Sequence, residues 1–425
     1  MNRSVLYLQY TNPANYPPLE HSGLMLPKAG WQVQYFGVQS GGESSKLAFP
    51  EPLARRQTLW KHRSPGISQK LHFAAYTLAA LWRVIWQRPA WVYCSNPMSC
   101  PAAWLIGRFT RCRVLYHEHD SPDEENGESR KQKVERAKAE TLKTEIRKSE
   151  SAEREVENIS AFSISAFQRV LMWTRKRVGR GADLVVLPNQ KRQELFMQAT
   201  GRQRTSFCVY NCPRKEEVMP QKGEAKMQGT LRLAFHGSIN QDRLPLAILE
   251  AMSRVPGRVH LSVVGYETVG SKGYMTGFLQ AAESLGLGKA VEFIGALPRH
   301  DILEPASRCN VGLAFMPLQS GDVNMDNMTG ASNKPFDYLA CGLSLLVSAR
   351  PDWEEMYVVP GYGLSCNPND ADSIAAQLRW FLEHPAETRE MGGRGRQRIL
   401  KEWNYESQFA PVLYILNREF KMKLQ

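Results

Sequence analysis

The chain has 425 residues, 43% of them hydrophobic and 23% charged, with a formal net charge of +12 and a pI of about 9.3. That length exceeds one ordinary hydrophobic core and points to two or three globular domains. The positive balance favours an anionic partner: nucleic acid, an acidic membrane surface or a phosphorylated ligand.

Nucleic acid is set aside, because the sequence holds neither a paired cysteine/histidine finger nor an RNP-type aromatic strand. Residues 1–15 lack the apolar core of a signal peptide. The most apolar long stretch, 72–86, is interrupted by Arg83 and falls short of the roughly 18 residues that a span requires. The eight cysteines are scattered without a CxxC, so they read as reduced thiols and the location as cytoplasmic. Cys208 and Cys212 have no histidine or further cysteine nearby, which argues against a metal there.

In chain order, a strand over 5–9, a turn-rich loop over 11–18, a helix over 19–28 and a strand over 30–36 open a βαβ unit. A helix over 68–87, strands at 91–94 and 113–117, and a helix over 101–110 continue it. The alternation predicts an open, parallel, doubly wound sheet, in which ligands bind beyond the carboxyl ends of strands. The tips there are 11–18, 95–97 and 117–121. Residues 123–158 are rich in Lys, Arg and Glu and hold few large apolar side chains, so an exposed helical insertion is expected. The helix over 165–180 carries Phe167, Val170, Leu171 and Val178 on one side and Arg169, Arg175, Lys176, Arg177 and Arg180 elsewhere. It suits packing on the sheet and an anionic membrane surface alike. A strand over 183–187, a helix over 190–199 and a strand over 207–210 complete the first half.

A polar linker over 211–228 leads to a second βα series: strands at 231–236, 259–265, 291–295 and 311–316, with helices between. Residues 332–342 then read as a short helix with Ser332 or Asn333 as cap, Pro335 in the first turn and Gly342 as stop. A buried strand over 343–348 follows. Lys334 and Asp337 therefore sit near a helix N-terminus facing a cleft. Free N–H groups and a lysine suit a diphosphate there, and a carboxylate one turn along suits sugar hydroxyls. Helices over 373–382, 385–403 and 405–421 close the chain, and Gly392-Gly393-Arg394-Gly395 reads as a helix-end turn. The expected domains are 1–210, 211–404 and a terminal helix over 405–425 that returns to the first.

The order and spacing of Phe235-His236-Gly237-Ser238, Val263-Val264-Gly265, Val291–Gly295, Val311–Pro317 and Asn333–Gly342 resemble the retaining GT-B glycosyltransferases of family four, enzymes of bacterial polysaccharide, lipopolysaccharide and lipid-linked glycan assembly. Ala29–Val33, His119-Asp120 and Ala182–Val186 extend the resemblance weakly into the first half. It implies two Rossmann-like domains facing a cleft. The second domain would bind a nucleotide-diphosphate sugar, and the first a glycan or lipid-linked acceptor, without metal or other cofactor.

It further implies that Arg243 and Lys334 neutralise the diphosphate, that Asp337 contacts the ribose, and that Ile294 to Leu297 hold the base. Gly237, Ser238, Gly265 and Asn333 would line the donor site. His119 and Asp120 would stand with Asp337 by the reacting carbon. Two departures stand out. The family's first carboxylate, eight residues before Asp337, is replaced by Thr329, and the 11–18 loop lacks a glycine pair. A sugar-nucleotide epimerase on the same fold and a non-catalytic scaffold subunit are the rival readings. His117 and His119 share one face of a strand and leave a zinc reading open. A calcium loop at 322–333 fails for want of a glycine at its sixth position and a glutamate at its twelfth.

Overall fold

A computed structural model describes residues 2–41, 45–122, 153–220 and 229–422. The expected insertion over 123–158 lies outside them up to residue 152, and its end opens the helix Glu153–Gly181.

Two all-parallel sheets form the scaffold. The first runs in the order β3 (Gln57–Trp60), β2 (Gln32–Val38), β1 (Asn2–Gln9), β4 (Pro89–Ser95), β5 (Arg113–His117), β6 (Leu184–Leu187) and β7 (Phe207–Cys208). The second runs β10 (Val291–Gly295), β9 (Val259–Glu267), β8 (Leu231–Ile239), β11 (Val311–Ala314), β12 (Ser344–Ser348) and β13 (Gly363–Cys366). Strand order reverses between β1 and β4 and again between β8 and β11, so each domain has a switch-point crevice at the carboxyl ends of its strands. The central strands are buried on both faces, which explains their unbroken apolar runs. β3 and β13 were not anticipated. Both are four-residue edge strands with polar members, and periodicity is weakest in such elements.

The chain's last helix, Tyr405–Met422, returns to the first domain. Its Tyr405, Phe409, Val412 and Leu416 are buried with Val5, Tyr7 and Trp91 of the first domain. The Tyr405 hydroxyl donates to the Pro18 carbonyl at 3.1 Å, and Trp31 Nε1 donates to Asn417 Oδ1 at 2.9 Å. The expected helix-end turn at 392–395 is instead interior to the helix Pro385–Lys401. A Cβ at Gly392 would stand 2.0 Å from the Gly342 carbonyl oxygen, and one at Gly395 2.2 Å from Leu339. Those glycines let two backbones approach closely, at a cost in helix propensity that the packing outweighs.

Candidate donor site and interdomain cleft

The helix Asn333–Ala340 is buried along nearly its whole length behind β8, β11 and β12. The Tyr338 hydroxyl accepts from the His236 N–H at 3.0 Å and ties the helix to the end of β8. At that strand end Gly237 has φ +106°, and a Cβ there would lie 3.2 Å from Lys334 Nζ. A Cβ at Gly265 would lie 2.0 Å from the Gly237 carbonyl oxygen. Gly265 therefore requires glycine for close backbone approach, and Gly237 for its backbone angle.

Lys334 is only 7% exposed. Its ammonium stands 5.3 Å from the centre of the Phe235 ring, and among the described residues no carboxylate pairs with it. Burial and the nearby Arg243 hold its pKa well below the usual lysine value, against an opposing pull from Asp337. Arg243 follows the β8 tip, where its N–H donates to Asn240 Oδ1 at 3.1 Å and Nη2 reaches Met325 Sδ at 3.2 Å. The structure thus brings together Gly237, Gly265, Arg243 and Lys334, with Ser238 and Asn333 half-buried beside them.

Asp337 corrects the expectation placed on it. Its side chain has no exposure, and both carboxylate oxygens accept from Arg299 at 2.6 Å. Burial pushes its carboxyl up, but bidentate guanidinium contacts at that distance are those of an ionised pair. Asp337 is thereby committed to the protein interior rather than to a ribose. The pair continues in both directions. His236 Nε2 lies 3.3 Å from Asp337 Oδ2, and Arg299 Nε donates to Glu217 Oε1 at 3.0 Å. Glu217 Oε2 is 3.0 Å from His21 Nε2. The two histidine contacts are close but not aligned as hydrogen bonds. Burial raises the Glu217 carboxyl, yet Arg299 and His21 outweigh it and leave it well below the usual range. One buried polar chain, ionic at Asp337, Arg299 and Glu217, thus runs from the β8 tip through the linker to the helix Pro17–Lys28 of the first domain. Ile294 and Leu297 lie just ahead of Arg299, at the exposed end of edge strand β10.

Across the cleft, His119 follows β5. Its N–H donates to Asn96 Oδ1 at 2.9 Å, and Asn96 N–H donates to the His117 carbonyl at 2.9 Å. Asn96 has φ 65°, an uncommon angle for a residue with a side chain. The His119 ring packs 3.9 Å from that of His117 and 5.1 Å from that of Tyr16. His119 Nε2 is buried without a partner. Burial, then Arg192, pushes its pKa down to about 3, so it is neutral. Asp120 is exposed, with an oxygen 3.6 Å from Arg192 Nη1. Among the described residues no group of three or more His, Cys, Asp or Glu is arranged to hold a metal, and His117 Nδ1 is engaged by the Tyr93 hydroxyl at 2.5 Å.

Several residues here escaped sequence reasoning. Arg192, fully buried, donates to the carbonyls of Asn324 at 2.8 Å and Asn327 at 2.9 Å, and also to that of His119. Asn189 Nδ2 donates to the carbonyls of Asn327 and Thr329, both at 2.8 Å. Ser121 and Asn324 exchange two hydrogen bonds, at 2.8 and 2.7 Å. The loop over 317–330 is thus held at these carbonyls by the first domain. Asn189 also caps the helix Gln190–Thr200, its side-chain oxygen accepting from the Arg192 N–H at 2.7 Å. A cavity of about 600 Å³ borders this loop, between Pro317–Gln319 and Ala349–Asp352. It lies on the β12 side, away from the Gly237 tip.

Residues 243–413 match a family model described as glycosyl transferase-like. A GDP-mannose-dependent alpha-(1-6)-phosphatidylinositol monomannoside mannosyltransferase of Mycolicibacterium smegmatis is 24% identical over 177 residues, which is 42% of this chain and 44% of that protein. The match therefore spans less than half the length of that curated relative. Among solved structures, sucrose-phosphate synthase from Thermosynechococcus elongatus has a TM-score of 0.67 at 14% identity, covering 99% of this chain and 100% of that one. Anabaena HepE in complex with UDP-glucose has a TM-score of 0.68 at 14% identity, covering 98% and 99%. These likenesses carry the fold, two parallel-sheet α/β domains of the GT-B type.

Proposed function

We propose that the protein is a glycosyltransferase that moves a hexose from a nucleoside diphosphate sugar to a glycan or lipid-linked acceptor, with retention at the anomeric carbon and without a metal. One observation carries the reading. A buried lysine and a neighbouring arginine stand at the carboxyl end of β8 beside a glycine tip, and among the described residues no carboxylate pairs with the lysine. A buried ammonium is costly unless an anion meets it, and Arg243 stands half-buried beside this one. A diphosphate there would meet both cations and the N-terminal N–H groups of the helix Asn333–Ala340, all of which stabilise charge growing on the leaving group.

The donor's nucleoside is left to uridine or guanosine, the two that occur in the names of the proteins it resembles. His119 is assigned to the acceptor side of the cleft. Its neutral, unpartnered Nε2 suits a hydroxyl of the substrate better than a charged group. A cytoplasmic location fits a soluble nucleotide-sugar donor.

Calorimetry with UDP and GDP tests the reading. Lys334→Ala and Arg243→Ala should each weaken binding about tenfold to a hundredfold, because each removes a charged hydrogen bond of ~1.5–3 kcal/mol. A chelator should change nothing. Parent-like binding by both variants would end the donor-site reading. A second reading keeps the site but not the chemistry. Thr329, which donates to Asp352, stands where the resembled family has a carboxylate. Nucleotide binding without transfer to any acceptor would favour that scaffold role.

A further inference from the structure

The helix Ile67–Gln87 packs Phe73, Tyr76, Ala80 and Val84 into the first domain's core. Its opposite face is also apolar. Ile67, Leu71, Leu78, Trp82, Ile85 and Trp86 are all exposed, with Trp82 at 68% and Trp86 at 77%. Their spacing of three, four and seven residues sets them on one stripe about 28 Å long. The neighbouring helices Cys100–Phe109 and Glu153–Gly181 add exposed Phe109, Val170 and Trp173. Trp173 packs edge-on to Trp104 at 5.0 Å, which joins those two helices into one layer.

All three helices lead into parallel strands, so their C-terminal ends lie together at the amino edge of the sheet, away from the cleft. Single exposed apolar residues are ordinary, but a contiguous patch of this size marks an interaction surface.

Charge identifies what it meets. From Leu53 to His117 the sequence contains no Asp or Glu, while basic residues recur from Arg55 to Arg113. From Ile159 to Ala182 there is again no acidic residue, and Lys176, Arg177 and Arg180 are exposed. Arg175 is not part of this rim, because it is buried in a salt bridge to Glu118 at 2.7 Å. The charged segment over 123–152 has few large apolar residues and no aromatic ones, so it is a poor cover for tryptophans. No helix among the described residues is long and apolar enough to cross a membrane.

An apolar stripe ending in tryptophans, set in a field of one sign, suits the boundary between headgroups and acyl chains of an anionic bilayer. We propose that the helix Ile67–Gln87 lies on such a bilayer, its stripe inserted among the lipids and the basic rim over the headgroups. This docking does not depend on the glycosyltransferase reading.

The test is flotation of the full chain, without nucleotide, with vesicles of phosphatidylcholine alone or mixed with phosphatidylglycerol. The parent should float with the mixed vesicles, less so at high salt. Trp82→Glu/Trp86→Glu should lose at least about tenfold in partitioning while binding UDP or GDP as the parent does. Arg177→Gln/Arg180→Gln should lose the preference for phosphatidylglycerol. In the parent, bromine-labelled lipid should quench tryptophan fluorescence, a readout that needs no variant. Failure to float with either vesicle would overturn the proposal. So would a dimer in sedimentation velocity that the Trp82/Trp86 variant dissolves while vesicle binding is unchanged, since the stripe would then be a contact between two copies.

Discussion

Mild acid should destabilise the first domain through His119, and by a calculable amount. Folded, the imidazole has a pKa of about 3, set by burial and then by Arg192. Unfolded, it returns to about 6.5. A histidine whose folded pKa is depressed leaves the unfolded state holding the extra proton between these values. Stability therefore falls as pH drops below about 6.5 and levels off near 3. Integrated from about pH 7 to about pH 5, one such histidine removes about 2 kcal/mol.

His117 and His236 are lowered in the same direction, each by burial first. Glu20, raised by burial, works in the opposite sense. The quantity to measure is therefore a difference. Parent and His119→Gln are unfolded by urea at both pH values, and the same transition is compared. The variant should lose about 2 kcal/mol less than the parent between the two. Equal losses would refute the claim that a buried neutral His119 sets this acid sensitivity.

Arg299→Leu should cost about 3–5 kcal/mol, because it leaves Asp337 and Glu217 buried without their shared cation. Adding Asp337→Leu should recover part of that loss, and a double variant no better than the single one would argue against a direct pair. Arg192→Met takes a donor from the carbonyls of Asn324, Asn327 and His119. It should lower stability by about 3 kcal/mol or more and speed proteolysis within 317–330, with unchanged cleavage as the contrary result. Asp352→Asn, if the protein transfers sugar, should reduce turnover more than nucleotide diphosphate affinity, and an equal loss in both would assign Asp352 to binding alone.

The elements that repeat were readable in the sequence. Alternating apolar strands and amphipathic helices led to two parallel sheets, because strands buried on both faces carry dense runs such as Leu343 to Val347. The glycine tip and its two cations were readable too, since each stands next to a strand end or a helix start. Pairings between distant elements were not. Arg299 and Asp337 are 38 residues apart and meet only because the helices Arg299–Ala306 and Asn333–Ala340 pack side by side against β8. Arg175 looked like one charge of a basic run, yet its position one turn before Val178 faces Glu118 beneath the helix. The exposed stripe on Ile67–Gln87 was hidden for the opposite reason. A helix apolar all round reads as a buried one.

The arrangement of charge explains how the loop over 317–330 is ordered around Thr329. Thr329 supplies only a hydroxyl, and that hydroxyl donates to Asp352 from the turn after β12, which sets a carboxylate directly beside it. Asp352 is itself held by Arg350, at 3.3 Å from Nε, and Arg350 in turn donates to the carbonyls of Pro317 and Asp326, at 2.9 and 2.6 Å. The loop over 317–330 is therefore gripped from two sides, by Arg350 within its own domain and by Arg192 from the other. Both grips fall on backbone carbonyls, which every residue offers whatever its side chain. The loop's course is thus insensitive to the identity of residue 329. A carboxylate at 329 would stand against Asp352 and repel it, so Thr329 and Asp352 are best understood as a matched pair, each intelligible only with the other in place.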